Sequence, residues 1–467
     1  MKKTKIICSI GPASNTVEKM EKLVNKGMNC ARINLSHAKK EEILNIIEVV
    51  REVRKRTKKP VAIMYDTKGP EFRTLEIKNG KIGIRTGEKI RIIKEQLLGS
   101  KKQFSVNHPE AIDKIKVGDH ILVDNALVDL EVVKKEKNLL ECVALNDGII
   151  GSHKSLNVPG VNLNLPFISK QDLEDISFAA THSCDYLALS FVNCKEDVLQ
   201  ARKIIEESGG DARIISKIES QTGIDNIDEI IEVSDGIMVA RGDLGVEVPM
   251  EKLPILQKEI IIKCRENAKF AIVATEMLAS MYLSPRPTRA EVSDIANAVL
   301  DGTDCVMLSG ETTVGKYPDL AVEYMAKICE SVEQTIDYSK HPKYKRKINT
   351  QDTIAKLVVD AVNYDNIKAI VATTMTGYTA RKISNFRPNC PIIACCPSNH
   401  IAEKVSLNFG VEPIVTPIYN NTDELVEDSI NHAKKAINLN KGDLVIVTGG
   451  FPLGQTKTTN FIKIVEI

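Results

Sequence analysis

The ionic residues of this chain gather directly behind short apolar runs. The clusters are Arg32-Ile33-Asn34-Leu35-Ser36-His37, Asp66-Thr67-Lys68, Lys217-Ile218-Glu219, Arg241-Gly242-Asp243, Thr275-Glu276 and Ser309-Gly310-Glu311-Thr312. Lys217 and Glu219 lie two apart, so on an extended strand both side chains point to one side. Glu219 and Asp243 together offer two carboxylates to a single cation. Oxygen ligands without a partnering His or Cys suit Mg²⁺ or Mn²⁺ rather than zinc. An ion held by two carboxylates keeps positions open for substrate oxygens and water. The Lys217 ammonium and Arg32 guanidinium add positive charge fitted to a phosphoryl group or an enolate. One acid at a strand end is ordinarily a solvated loop residue or a helix cap. Several loaded ends in one chain weaken that account, and a phosphate and divalent-metal site is expected.

Gly310-Glu311-Thr312-Thr313-Val314-Gly315-Lys316-Tyr317 imitates a P-loop. The hydroxyl residue that a P-loop needs for its magnesium is replaced by Tyr317, and Glu311 would set a negative charge beside the phosphates. A nucleotide is therefore expected to bind elsewhere.

Such residues need a frame that brings their strand ends together. Eight apolar runs with little alternation read as parallel strands covered on both faces: Lys5–Ile10, Cys30–Leu35, Val61–Asp66, Tyr186–Phe191, Arg213–Ile218, Gly236–Arg241, Ala271–Thr275 and Cys305–Gly310. Amphipathic stretches lie between them, among them Thr16–Lys26, Lys39–Thr57, Lys170–Thr181, Lys195–Glu207, Thr222–Val233 and Glu251–Asn267. Alternation of this kind predicts an α/β fold, a closed (β/α)8 TIM barrel whose chemistry sits at the C-terminal strand ends. After Asp66 the rhythm breaks. Period-two patterns and turn signals such as Asn79-Gly80 and Asp147-Gly148 predict a small all-β domain inserted there, placed to act as a lid. Ser339–Asn349 is basic and polar and reads as a linker to a C-terminal α/β domain. The expected division is barrel 1–68, lid 69–162, barrel 163–338 and C-terminal domain 339–467.

Lys and Arg number 63 against 62 Asp and Glu, so no basic excess points to a nucleic-acid partner. The 11 cysteines form no C-x-x-C pair, which argues against zinc knuckles and fits reduced core thiols. The run Ile6-Ile7-Cys8-Ser9-Ile10 is too short for a signal h-region, and no stretch reaches the ~18 apolar residues of a membrane span. A cytoplasmic protein without a membrane partner is expected.

The motifs also carry a family resemblance. The chain resembles pyruvate kinase in Ile10-Gly11-Pro12-Ala13-Ser14, in Arg32 to His37, and in Asp66-Thr67-Lys68-Gly69-Pro70-Glu71-Phe72-Arg73. The likeness continues in Ser216-Lys217-Ile218-Glu219, in Val239-Ala240-Arg241-Gly242-Asp243-Leu244-Gly245, in Pro285 to Val292 and in Met307 to Thr312. The resemblance implies transfer of a phosphoryl group from phosphoenolpyruvate to ADP in glycolysis, by a homotetramer. It implies that Glu219 and Asp243 hold Mg²⁺ (or Mn²⁺), that Lys217 stabilises the phosphoryl group in flight, and that Arg32 holds it beforehand. Asn34, Ser36, Asp66 and the Thr67 carbonyl would take K⁺. Arg73, with Asn34 and His37, would meet the nucleotide. The Gly242 and Asp243 amides would receive the substrate carboxylate, and Thr275 would lie near the enolate carbon. In this family Glu at the position of Glu71 goes with a K⁺ requirement, because a carboxylate cannot replace the cation's charge as Lys can.

Three departures stand out. Glu276 takes the place of a common Gln, Asp124-Asn125-Ala126 that of Asp-Asp-Gly, and Tyr378 that of a small or basic residue. Thr373-Thr374-Met375-Thr376-Gly377-Tyr378-Thr379-Ala380, between a strand and a helix, resembles the loop where the family binds a phosphorylated allosteric effector. Thr374, Thr376, Gly377 and Thr379 would line it. A metal-dependent lyase acting on an enolate and a non-catalytic metabolite sensor are the competing readings of the same residues.

Overall fold

The computed structural model describes residues 1–36, 38–339, 348–364 and 366–467. His37 and most of the expected linker Ser339–Asn349 lie outside the described residues. Eight parallel strands form a closed barrel: β1 (Lys5–Ser9), β2 (Met28–Asn34), β3 (Ala62–Asp66), β4 (Tyr186–Leu189), β5 (Arg213–Ile218), β6 (Gly236–Ala240), β7 (Phe270–Ala274) and β8 (Cys305–Leu308). β8 returns to pair with β1, Lys5 opposite Cys305. Successive residues part to opposite sides, as strand geometry requires. Ile7, Cys30, Met64, Ile215, Met238 and Ile272 fill the barrel interior, while Ile6, Ala31, Ile33, Ile63 and Ile214 pack under the helices. Burial on both faces is why these runs carry no polar alternation.

The helices start where the sequence offers caps. Thr16 accepts from the Lys19 amide ahead of Val17–Lys26, and Ser169 with Asp172 closes a capping box ahead of Lys170–Thr181. The stretch read as one helix over Thr222–Val233 is two, Gln221–Asp225 and Ile227–Val233. Asn226 breaks it, leaving helical geometry to donate from its side chain to the Asn193 carbonyl at 2.8 Å.

Between β3 and Lys170 the chain forms the all-β lid domain. Its larger sheet orders Leu156–Asn157, His120–Val123, Val128–Glu136, Leu139–Ala144, Lys89–Ile93 and Gln103–Ser105, with a ribbon of Lys81–Ile84 and Gly148–Gly151 beside it. It has its own core around Ile92, Phe104, Ile121, Leu130 and Leu140. The C-terminal domain is a five-stranded sheet ordered Val411–Val415, Ile392–Cys396, Ile367–Thr373, Leu444–Gly450 and Thr459–Glu466, the last antiparallel. Its segment Lys404–Asn408 closes the base of the barrel. There Leu407 joins the interior cluster, and the Lys404 carbonyl accepts from the Tyr186 hydroxyl at 2.6 Å and from Arg213 at 2.5 Å.

Candidate active site

The C-terminal ends of β2, β3 and β5 converge on one ionic chain. Arg32 donates through Nε to Asp66 Oδ2 at 2.7 Å, and its Nη1 reaches Ser9 Oγ at 2.7 Å. Register sets Asn34 beside Asp66, so the last residues of β2 and β3 emerge together. The other Asp66 oxygen meets Lys217 Nζ at 3.1 Å, and Lys217 continues to Glu219 Oε1 at 3.0 Å. The two-residue spacing of Lys217 and Glu219 thus places both on one side of β5. Asp66 and Glu219 are each 1% exposed.

Burial on its own would strip charge from Lys217, but Asp66 and Glu219 together outweigh it and hold the ammonium above its ordinary value. Burial likewise opposes the Asp66 carboxylate, and Arg32 and Lys217 overcome it, keeping Asp66 low. Glu219 differs. Burial first, then the neighbouring Asp243, push its carboxyl up to about 7, against the pull of Lys217 and the Phe191 amide. A buried carboxylate strained upward by a second carboxylate is the electrostatic signature of a place that a cation would relieve. The donor set is all oxygen, and Glu219 and Asp243 fit a divalent ion.

Besides Ser9, two residues in this network carry no charge and drew no attention in the sequence. Ser190, just past β4, accepts from Lys217 at 2.7 Å and donates to the Thr67 carbonyl at 2.8 Å. The Phe191 amide donates to Glu219 Oε2 at 2.7 Å from a backbone with φ +56. β4, like β1, has no ionic residue at its end, and the hydroxyl of Ser190 was the available signal. Across the mouth, Thr275 and Glu276 both have positive φ, +70 and +54. For a β-branched residue this is a costly conformation, and such strain gathers at functional sites. It turns Thr275 Oγ1 to accept the Gly242 amide at 2.8 Å, while Arg241 binds the Thr275 carbonyl at 2.7 Å. The Gly242 amide is therefore engaged here, and Glu276 is exposed.

The lid faces this mouth. Glu71 grips Arg73 in a fork, Oε2 to Nε at 2.7 Å and Oε1 to Nη2 at 2.5 Å, and Lys68 stands 3.8 Å from the same carboxylate. Arg73, Asp124 and Asp243 line a cleft of about 570 Å³ between lid and barrel. A second cavity of about 730 Å³ adjoins Arg32 and Asn34 and is walled by Pro12 of the Ile10–Ser14 motif and by Asn15, Glu41 and Asn45, which were not singled out from the sequence. The four oxygen donors expected for a monovalent cation sit at neighbouring strand ends. Asn34 Oδ1 accepts the Ser36 amide at 3.1 Å, and the Thr67 carbonyl faces Ser190.

Comparison with known proteins decides the family. Residues 1–322 match the family model of the pyruvate kinase barrel domain, and 352–465 match that of the pyruvate kinase alpha/beta domain. Pyruvate kinases of Staphylococcus aureus strains MRSA252 and USA300 are each 45% identical over 470 residues, covering 99% of this chain and 80% of theirs. A crystal structure of a pyruvate kinase from Cryptosporidium parvum superposes with a TM-score of 0.95 at 38% identity, covering 100% of this chain and 96% of that one. The chain belongs to the pyruvate kinase family. It is an enzyme, a phosphotransferase.

Two further segments read differently against the pyruvate kinase frame. Glu311, in the P-loop look-alike, is buried and accepts the Ser309 and Leu278 amides at 2.7 and 3.1 Å, and Tyr282 packs where a Cβ on Gly310 would stand. No phosphate cradle remains there. In the C-terminal domain Thr374, Thr376 and Thr379 line a cavity of about 60 Å³ with Lys457 and Thr458. Gly377 has φ +77, and a side chain on it would strike Val405, so glycine is required. No helix among the described residues is long and apolar enough to cross a membrane.

Proposed function

We propose that the chain moves the phosphoryl group of phosphoenolpyruvate onto ADP, giving pyruvate and ATP, as a cytoplasmic glycolytic pyruvate kinase dependent on Mg²⁺ (or Mn²⁺) and K⁺. The observation that carries this reading is Lys217, a buried ammonium held between Asp66 and Glu219 with Arg32 on the far side of Asp66. Arg32 holds the phosphoryl oxygens before transfer, and Lys217 meets the charge that develops as the group moves. A β-phosphate oxygen of ADP forms the new P–O bond while the bond to the enolate oxygen breaks. The enolate carbon then takes a proton near Thr275, whose oxygen already accepts the Gly242 amide and so leaves its own proton free to donate. The start of the helix Arg241–Glu247 orients the substrate carboxylate, through the Asp243 amide and, once Thr275 releases it, the Gly242 amide.

Glu219 and Asp243 would hold the divalent ion, and Asn34, Ser36, Asp66 and the Thr67 carbonyl would hold K⁺. Bound there, the two cations supply charge neutralisation for the phosphoryl and enolate oxygens. Arg73, Asn34 and His37 meet the nucleotide, with Glu71 fixing the direction of Arg73. Glu71 offers no positive charge to replace K⁺, which is the ground for the potassium requirement. A phosphorylated effector at Thr374, Thr376, Gly377 and Thr379, and assembly into a homotetramer, belong to the same reading.

The test is pyruvate release from phosphoenolpyruvate in Mg²⁺ buffer, with and without ADP, in K⁺ or Na⁺. Release that needs both ADP and K⁺ is expected. Release without ADP would mean that water takes the phosphoryl group and the enzyme is a phosphatase. ADP-independent decarboxylation of oxaloacetate in place of this release would make it a lyase, and equal rates in Na⁺ and K⁺ would overturn the role given to Glu71.

A further inference from the structure

The base of the barrel, opposite the phosphoryl-transfer site, carries a second concentration of charge. A cavity of about 260 Å³ opens between the start of β5, the turn Asn267–Phe270 and the C-terminal helix Tyr378–Asn385. Four cations line it, Arg213, Lys269, Arg381 and Lys382, against one carboxylate, Asp235. Most of these have partners. Lys382 is bound to Asp352 at 2.7 Å, Lys269 to the Glu232 carbonyl at 3.0 Å, and Asp235 to Arg202 at 3.0 Å and the Ile214 amide at 2.9 Å. Arg213, 7% exposed, spends Nη1 on the Lys404 carbonyl.

Two groups are left over. The Arg381 guanidinium makes no hydrogen bond or ion pair with any described residue, although burial and the nearby Arg213 oppose its charge and push it down to about 9. Two guanidiniums facing one space without a free carboxylate repel each other, and a natural sequence rarely tolerates this without a counter-ion. Asn408 also lines the cavity. It is 4% exposed, and its Oδ1 has no hydrogen-bond partner among the described residues. Buried polar atoms are normally satisfied, so this acceptor asks for a donor from a ligand.

We propose that this junction cavity binds a phosphate group, held between the Arg213 and Arg381 guanidiniums, with a hydroxyl of the same ligand donating to Asn408 Oδ1. Planar guanidinium forks match phosphate oxygens in pairs, and the volume fits inorganic phosphate or a small phosphate monoester. The site is separate from the cavity around Thr374 and Lys457, though Tyr378 lines both.

Calorimetric titration with inorganic phosphate, and separately with glycerol phosphate, tests it on the full-length protein in chloride buffer of matched ionic strength. The wild type should bind one more equivalent than Arg381→Gln, with the Thr376→Ala variant keeping that equivalent. Tighter binding of glycerol phosphate supports a monoester site, tighter binding of phosphate a free-ion site. Identical isotherms for the wild type and Arg381→Gln overturn the proposal. Because a variant can misfold, a second arm soaks crystals of the unmodified chain in selenate. An anomalous peak between Arg213 and Arg381 supports the site, and peaks elsewhere only overturn it.

Discussion

An amine as deeply buried as that of Lys217 would lose its proton if nothing stood beside it. Asp66 and Glu219 reverse that tendency, so the charge is present before any substrate arrives and costs no reorganisation during transfer. Lys217→Met should therefore lower kcat by roughly 100- to 1000-fold or more, the range for losing one preorganised transition-state donor. Mn²⁺ affinity, read by electron spin resonance, should hold or rise, because a positive charge 3.0 Å from Glu219 has gone. Near-normal turnover would remove the role assigned to Lys217. Ser190 acts through its neighbours, accepting from Lys217 and donating to Thr67. Ser190→Ala should reduce kcat by about 10- to 100-fold with little change in KM for ADP, and raise the K⁺ concentration needed for half-activity, since losing a group that orients its neighbours costs on that order. Unchanged K⁺ dependence would confine Ser190 to packing. The pairing of Lys217 with Glu219 was legible because strand periodicity is a local property. Ser190, Ser9 and the Phe191 amide were not, because an uncharged hydroxyl or a backbone N–H carries no mark of the neighbours that folding brings to it.

Elements buried on both faces were the most legible, and every barrel strand lies within a residue or two of its apolar run. Edge strands escaped. Val411–Val415 contains Pro413, which weakens a strand reading although an edge tolerates it, and Thr459–Glu466 is largely exposed and mixes four polar with four apolar residues. The lid turn shows how a departure in sequence becomes a cost in an element. Asp124, Asn125 and Ala126 have φ of +51, +56 and +62, three left-handed residues in succession. Asp and Asn accept this conformation with modest strain, but alanine does not. Lys154 fixes one end by pairing with Asp124 at 2.9 Å, so the turn cannot relax by swinging away. Ala126→Gly should stabilise the lid by about 0.5–1 kcal/mol, the left-handed strain relieved less the entropy glycine adds to the unfolded chain. Urea denaturation followed by a lid-specific probe would check the sign. A loss of stability, as at an ordinary alanine, would contradict the strain argument.

At the scale of the whole molecule, the barrel and the C-terminal domain meet through a mixed ionic cluster as well as through Leu407. Arg54, from the helix Lys40–Thr57, pairs with Glu403 of the C-terminal domain at 2.9 Å and with Asp185 at 3.5 Å. His400 stands 4.0 Å from Asp185 and 3.2 Å from Asp211, which Lys404 also binds. Burial is the main influence on Glu403, and Asp185 adds to it. Together they raise its carboxyl from 4.5 to about 7 despite Arg54. The folded chain thus holds a proton that the unfolded chain has released across that window. Stability contributed by this group falls as pH rises from about 4.5 to 7, and the full cost of the charged form stands above 7. Glu403→Gln never takes the charge. At pH 8 the variant should be more stable than the wild type, on the order of 1–2 kcal/mol after allowance for partial solvation. At pH 5, where Glu403 is largely protonated in the wild type, the difference should shrink towards zero, with Arg54 keeping Asp185 as its partner in both. Thermal melts of the two proteins at pH 5 and pH 8 decide it. A stability difference that is the same at both pH values would mean that the junction carries Glu403 as an ordinary ion pair, and that its burial does not couple docking of the C-terminal domain to proton uptake.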